Sequence, residues 1–340
     1  MCTLFNNFRR KFMVSSVVGL LGVMFMVETA QAAENWRFTN LYSRGTAFGD
    51  VYQQLAKDIE TNTNGDIKVQ VLYAGEGVGA SGVLAAAKSG LVAMAAPFQS
   101  THAGEFPTGV VEIGLPGGTA DTDELHKLFH EDGWAEILTR AYASQGLTWL
   151  APYIQPPVYI LTKEPIESVD DFKGLKIRAP GAYGKFLRNL DASPVSMAWG
   201  EVYTSLATGV IDGSIGSNMI DHRDGNHVEV AKYMYKLPLA GAQVLPIVVN
   251  TKAWNKLTKA QQKGVYDATV THAATQLKMS KQWEQEAIAQ MEAKGLKWSP
   301  EPSATDKEAW KEAAKGLWDE YSKNDKYSKE LIDILKKNAQ

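Results

Sequence analysis

The sequence predicts an α/β fold with open sheets flanked by helices, arranged as two lobes around a cleft. Three observations carry this expectation. Short β-branched runs alternate with helical patterns from Trp36 onward, which is the signature of strands covered by helices. The chain has 340 residues, 45% of them hydrophobic and 21% charged, enough apolar material for two cores at roughly 100 to 200 residues per domain. The strand-and-helix pattern also returns after residue 244, so the first lobe recruits the C-terminal third and strands must cross between lobes. This composition excludes whole-chain disorder, collagen and coiled coil. A formal charge of −3 gives no cationic footprint for nucleic acid.

The chain opens on Arg9, Arg10 and Lys11, then an apolar run over residues 12–27, then the small-x-small site Ala30-Gln31-Ala32. That order reads as a secretory signal peptide over residues 1–33, cleaved near Ala32. Its apolar run is shorter than the roughly 20 residues a spanning helix needs. Cleavage takes away three bases and one acid (Glu28), moving the formal charge from −3 to −5. The single cysteine, Cys2, leaves with the leader. The mature protein is thereby expected to be exported, free of disulfides and thiol nucleophiles, and not inserted in a membrane.

Strands are expected at residues 36–41, 67–73, 91–96, 175–179, 210–215 and 244–250, with an extended, proline-broken crossing over 148–161. Helical spacing marks Phe48, Val51, Tyr52, Leu55 and Ile59. Asp121 with Glu124 opens a helix expected to continue to Gly146, and Thr258 with Gln261 opens a long one ending near Lys294. The tail from Ser303 is helical, with Trp310 and Leu317 as docking residues.

Gly77-x-Gly79-x-x-Gly82 follows a strand and opens a helix, as a dinucleotide fingerprint would. The next strand ends Met94-Ala95-Ala96-Pro97, without the acid that should hold a ribose. The glycines read better as a loop whose backbone approaches a small ligand, with Glu76 among them. His126 and His130 stand four apart on one helix but lack a third ligand. His222 and His227 fall in the polar stretch after Asp221, where a loop or helix start is the simpler reading. Asp170 and Asp171 read as helix-capping acids. No catalytic set emerges. Arg178 stands out, ending the strand Leu175-Lys176-Ile177 just before Ala179-Pro180-Gly181. Ligands of open α/β sheets bind beyond the carboxyl ends of strands, and a guanidinium holds a carboxylate through two parallel hydrogen bonds.

The run Lys163-x-Pro165-Ile166-x-Ser168-x-x-Asp171-Phe172-Lys173-Gly174-Leu175-Lys176-Ile177-Arg178 closely resembles the extracytoplasmic solute-binding proteins of TRAP transporters (the DctP type). So does Glu201-Val202-Tyr203-x-x-Leu206-x-x-Gly209-x-Ile211-Asp212-Gly213. The resemblance implies a two-lobed periplasmic binding protein with mixed sheets and a long C-terminal helix spanning both lobes. It further implies a receptor and not an enzyme; no cofactor is expected, and no residue is assigned as a metal ligand. The implied partners are a small organic acid and the integral-membrane transporter subunits. The implied boundaries are residues 34–156 with 251–300 for lobe I, 157–250 for lobe II, and 301–340 as a helical segment packed on both. By position in the family, Arg178 anchors the ligand carboxylate and Trp199 packs on it. Ser43, Arg44, Glu76, Phe98, Gln99, Ser217 and Asn218 are the other candidate contacts, and Arg44 stands to supply a second positive charge. The alternative from another class is an exported enzyme, a nucleotide-dependent oxidoreductase or a hydrolase, working through the glycine-rich loop.

Overall fold

The computed structural model describes residues 33–119, 121–216 and 218–338. The leader through Ala32, with Cys2, and the candidate contact Ser217 lie outside the described residues. Elements follow in the order β1 (Glu34–Thr39), α1 (Ala47–Asn62), β2 (Ile67–Leu72), α2 (Val83–Ser89), β3 (Met94–Ala95), α3 (Pro107–Glu112), α4 (Thr122–His130), α5 (Trp134–Ala143) and β4 (Leu147–Gln155). The second sheet begins with β5 (Ile160–Thr162), β6 (Lys176–Arg178), α6 (Gly181–Arg188), β7 (Ser193–Val195), α7 (Val202–Ala207), β8 (Gly213–Ile215), α8 (Met219–Asp224) and β9 (Tyr233–Met234). The chain closes with β10 (Gln243–Asn250), α9 (Thr251–Lys256), α10 (Lys259–Ala293), β11 (Lys297–Trp298), α11 (Ala304–Tyr321) and α12 (Lys326–Asn338).

The strands form two mixed sheets, ordered β2-β1-β3-β10-β4 and β11-β9-β5-β8-β6-β7. The chain passes from the first to the second between β4 and β5 and returns between β9 and β10. These two passages pair with each other, Val158 donating to Ala240 (2.9 Å) and Leu239 to Val158 (2.7 Å). β10 runs antiparallel to β4 with Pro246 opposite Pro152. Two prolines are tolerated there because β3 covers only Val248 and Val249, so at Pro246 no neighbour asks for an N–H. β11 joins β9 in the second sheet, so the segment expected in lobe I gives its last strand to the other sheet.

The helix expected from Asp121 to Gly146 is two helices. Gly133, at φ 94, adopts a left-handed conformation that a side chain would resist, and it ends the run between α4 and α5. Thr258 and Gln261 do form a reciprocal capping box opening α10, a single helix of 35 residues. Val265 and Ala268 near its start belong to the core of the first sheet, where Tyr52 stacks on Tyr153 with ring centroids 5.6 Å apart. Ala287 and Met291 near its end belong to the core under the second sheet. The tail bridges in the same way. Trp310 packs on Phe172, Phe186 and Tyr235, while the Trp318 indole donates to Pro116 O at 3.0 Å.

Candidate ligand-binding site

β6 is three residues long, and its alternation buries Ile177 while turning Arg178 to the other face. The Arg178 guanidinium is half-buried. Its Nη1 donates to Ile215 O (2.8 Å) and its Nε to Met197 O (3.4 Å). Its central carbon lies 5.3 Å from the centre of the Trp199 ring. Asp171, read from the sequence as a capping acid, is engaged as one: it accepts from the amides of Glu167 and Ser168, both at 2.8 Å, capping the turn that begins at Ser168. No carboxylate among the described residues lies within ion-pair distance of Arg178. Burial pushes its pKa down to about 10, with Asp221 opposing this through space. The hydrogen bonds of the cation among the described residues thus go to two carbonyls, leaving N–H groups in excess of them.

Trp199 stands beside it at the entry to α7. Two buried histidines back the indole, His222 at 5.6 Å and His227 at 4.7 Å between ring centres, both edge-on. Gly216 fits between these rings because it has no Cβ, which would stand 2.8 Å from His222 Nε2 and 2.9 Å from Trp199 Cη2. Asn218 caps α8, accepting from the Asp221 amide at 3.1 Å. Its Nδ2 also lies 3.5 Å from Gln155 Oε1, at the end of β4, and Gln155 Nε2 donates to the Tyr42 hydroxyl at 2.7 Å. A chain of neutral polar groups therefore runs from the loop after β1 to the start of α8. Tyr42 in turn packs on Phe48 (5.1 Å), a first-lobe residue within the apolar cluster of the second.

The remaining candidates divide. Arg44 is exposed and forms a bidentate ion pair with Glu76, 2.9 and 3.0 Å from Nη2 to the two carboxylate oxygens, over the Tyr73 ring. The two expected contacts satisfy each other, and Arg44 presents no uncommitted second charge. Ser43 is exposed, and its carbonyl accepts from Thr46 Oγ1 at 2.8 Å. Phe98 is half-buried at the start of the segment after β3. Gln99, one residue on, turns inward. Its amide donates to the Tyr142 hydroxyl, which bonds Glu112 Oε2 at 2.5 Å, and Trp149 Nε1 donates to Glu112 Oε1 at 2.8 Å. Gly109 makes room for it, since a Cβ there would lie 2.9 Å from three Gln99 carbons. Burial raises the Glu112 pKa to about 8. The Gln99 side chain thus ties this segment to the interior.

Where the segment continues, Ser100 meets Gly181 at the start of α6, a Cβ on Gly181 standing 3.1 Å from Ser100 Cβ. A cavity of about 600 Å³ opens beside this contact, between Gly104 and Pro107 on one side and Ala179, Gly184 and Pro194 on the other. Among the described residues, the His126 and His130 rings lie 4.2 Å apart and tilted at 38°, without a third donor for a metal, and no helix is long and apolar enough to cross a membrane. Sequence reasoning missed Tyr42 and Gln155 as part of this site, and read His222 and His227 as part of a loop or helix start, which holds for His222 in the short helix α8. Gln155 sits just before Pro156-Pro157 at the crossing, the one positional signal that marked it.

Comparison with known proteins addresses the family and the fold. The family model for bacterial extracellular solute-binding proteins, family 7, matches residues 39–324. A monocarboxylate 2-oxoacid-binding periplasmic protein of Nostoc sp. is 29% identical over 270 residues, 78% of this chain and 73% of that protein. The C4-dicarboxylate-binding periplasmic protein of Rhodobacter capsulatus is 26% identical over 294 residues, 84% and 85% of the two chains. Among solved structures, a TRAP periplasmic solute-binding protein of Colwellia psychrerythraea with bound calcium and pyruvate superposes with a TM-score of 0.82 at 25% identity, covering 90% of this chain and 94% of that one. A Bordetella pertussis extracytoplasmic solute receptor binding pyroglutamic acid gives 0.81 at 20% identity, covering 89% and 100%. The two sheets, the paired crossings and the match over most of the length make this chain a member of the DctP family, the extracytoplasmic solute-binding receptors of TRAP transporters.

Proposed function

We propose that this receptor captures a small organic acid between its lobes, with the carboxylate on Arg178 and the body of the ligand against Trp199 and Phe98. The observation that carries the reading is the half-buried Arg178 guanidinium, bonded to two carbonyls and to no acid. An incoming carboxylate supplies the missing counter-charge in two parallel hydrogen bonds. Asn218, Gln155 and Tyr42 are the neutral polar groups placed to read what remains of the ligand. Because Arg44 is matched by Glu76, one cation faces one carboxylate group, which suits a monocarboxylate such as those named for some relatives better than the dicarboxylate named for another. Ser43 contributes backbone only. The lobes close over the acid about the paired crossings near Val158 and Ala240, and the loaded receptor delivers it in the periplasm to the membrane subunits of its transporter.

The reading also makes the protein a receptor and not an enzyme. A thermal-shift screen against small carboxylic acids tests both parts. One or a few acids should raise the melting temperature and be recovered chemically unchanged after release. Turnover of the bound acid, or retention of a nucleotide by the glycine-rich loop, would establish the enzyme alternative instead.

A further inference from the structure

The buried histidines behind Trp199 have no part in the anion capture described so far. His222 is 1% exposed and His227 is 2% exposed, and their Nδ1 atoms stand 3.1 Å apart. The Gly216 amide donates to His222 Nε2 at 3.2 Å. That bond fixes the protons of the pair. His222 Nε2 must present its lone pair to Gly216, so a neutral His222 carries its proton on Nδ1. That proton points at His227 Nδ1, which accepts, leaving the His227 proton on Nε2. Burial and the nearby Arg178 cation hold His222 well below the ordinary 6.5 and push His227 down to about 4, so both rings are neutral at neutral pH. The charged groups around them are otherwise engaged: Arg223 pairs with Asp224 at 2.7 Å, Glu229 accepts from Tyr203 at 3.0 Å, Lys294 donates to Asn226 at 3.3 Å, and Asp221 acts on Arg178.

The Gly216 N–H and the Ile215 C=O belong to one planar peptide unit. Its N–H is taken by His222, and its oxygen is the 2.8 Å acceptor of Arg178 Nη1. A single line of hydrogen bonds therefore runs from His227 through His222 and this peptide to the guanidinium. The peptide plane cannot rotate without breaking a bond at each end, and bonds in such a series polarise one another. The same two rings lie edge-on to Trp199, and Gly216 sits against both His222 and the indole.

We propose that His222 and His227 are positioning residues for the anion site: through the Ile215–Gly216 peptide they set the direction of the Arg178 guanidinium, and through their ring edges the placement of Trp199. The inference rests on the carboxylate reading of Arg178. Two isosteric substitutions separate the halves of the line. His222→Gln places an acceptor where Nε2 stood and keeps the Gly216 bond, whereas His222→Asn keeps a donor toward His227 but does not reach Gly216. With pyruvate and pyroglutamate as calorimetric probes at pH 7.5, His222→Asn should bind at least tenfold more weakly than the wild type, and His222→Gln within about threefold of it. Equal losses in the two variants, or full affinity in the asparagine variant, overturn the role assigned to the peptide. Long-range nitrogen–proton NMR spectra of the unaltered receptor provide a readout independent of variant folding. His222 should show the Nδ1-protonated tautomer and His227 the Nε2-protonated one, and any other pattern overturns the proposal. If neither probe binds the wild type, or Arg178→Met binds them as the wild type does, the carboxylate reading falls, and the ring tautomers then judge the pair alone.

Discussion

Replacing Arg178 by methionine separates two things a buried arginine can do. The side chain keeps its apolar stem and loses its charge. The guanidinium has no carboxylate within ion-pair distance among the described residues, and burial lowers its pKa from 12.5 to about 10, which sets the scale of that deficit. At about 1.4 kcal/mol per pKa unit, discounted for the part of the group that water still reaches, the deficit is roughly 2 kcal/mol. A carboxylate that cancels it gains at least that much, so the variant should lose about 30-fold in affinity at 1.4 kcal/mol per tenfold. The ligand-free stability should move the other way or stay put, because exchanging a desolvated charge for an apolar side chain is often neutral or stabilising. The assay is a pair of melting curves, with and without a saturating acid, together with calorimetric affinities. The expected signature is an unchanged or higher melting point for the empty variant and a ligand-induced shift that collapses. A melting point several degrees lower with affinity intact would show that Arg178 is there to hold Ile215 and Met197, and the argument would fail.

Other substitutions probe the surroundings. Glu112 is a buried acid raised from 4.5 to about 8, so the fold favours its protonated form, and the stability this contributes is present at low pH and lost as pH rises through that window. Glu112→Gln has no proton to lose, and the slope of its melting temperature between pH 5 and 8 should be flatter than that of the wild type; equal slopes would place the titration elsewhere. Arg44→Ala removes an exposed ion pair with Glu76 and should cost less than about 1 kcal/mol of stability. Its affinity for the acid should stay within twofold, and a tenfold loss would return Arg44 to the site. Gly216→Ala adds a Cβ against His222 and Trp199, an overpacking that costs about 1 to 3 kcal/mol and should weaken ligand binding through the displaced indole; binding and melting curves that match the wild type would show that the contact relaxes freely.

Local chemistry was legible in the sequence where it acts over a few residues. Thr258 with Gln261 announced α10, Asp171 capped the turn it was expected to cap, and Trp310 and Leu317 proved to be buried docking residues. The strand carrying Arg178 was found where its β-branched neighbour and the following Pro180-Gly181 put it. What spacing could not reveal is contact across distance. The Arg178 bond to Ile215 spans 37 residues and the Tyr42 bond to Gln155 spans 113, and neither leaves a periodic trace. The break at Gly133 was hidden because apolar residues on both sides keep helical spacing. Gln99 illustrates a third limit: its place after the third strand was readable, but its direction is decided by a missing Cβ at Gly109 and a hydroxyl at Tyr142.

The 35-residue α10 carries a consequence for how far the receptor can open. Its two ends are gripped by different apolar cores, through Val265 and Ala268 in one and Ala287 and Met291 in the other. The intervening stretch beds His272, Gln276 and Ser280, four residues apart, on its buried side. At 1.5 Å per residue the helix is a strut that fixes roughly 33 Å between its anchor points Val265 and Ala287. Lobes joined in this way can swivel but cannot part. A closing motion of the kind proposed would therefore have to run through twist at the paired crossings, since a rod of set length ties the two cores.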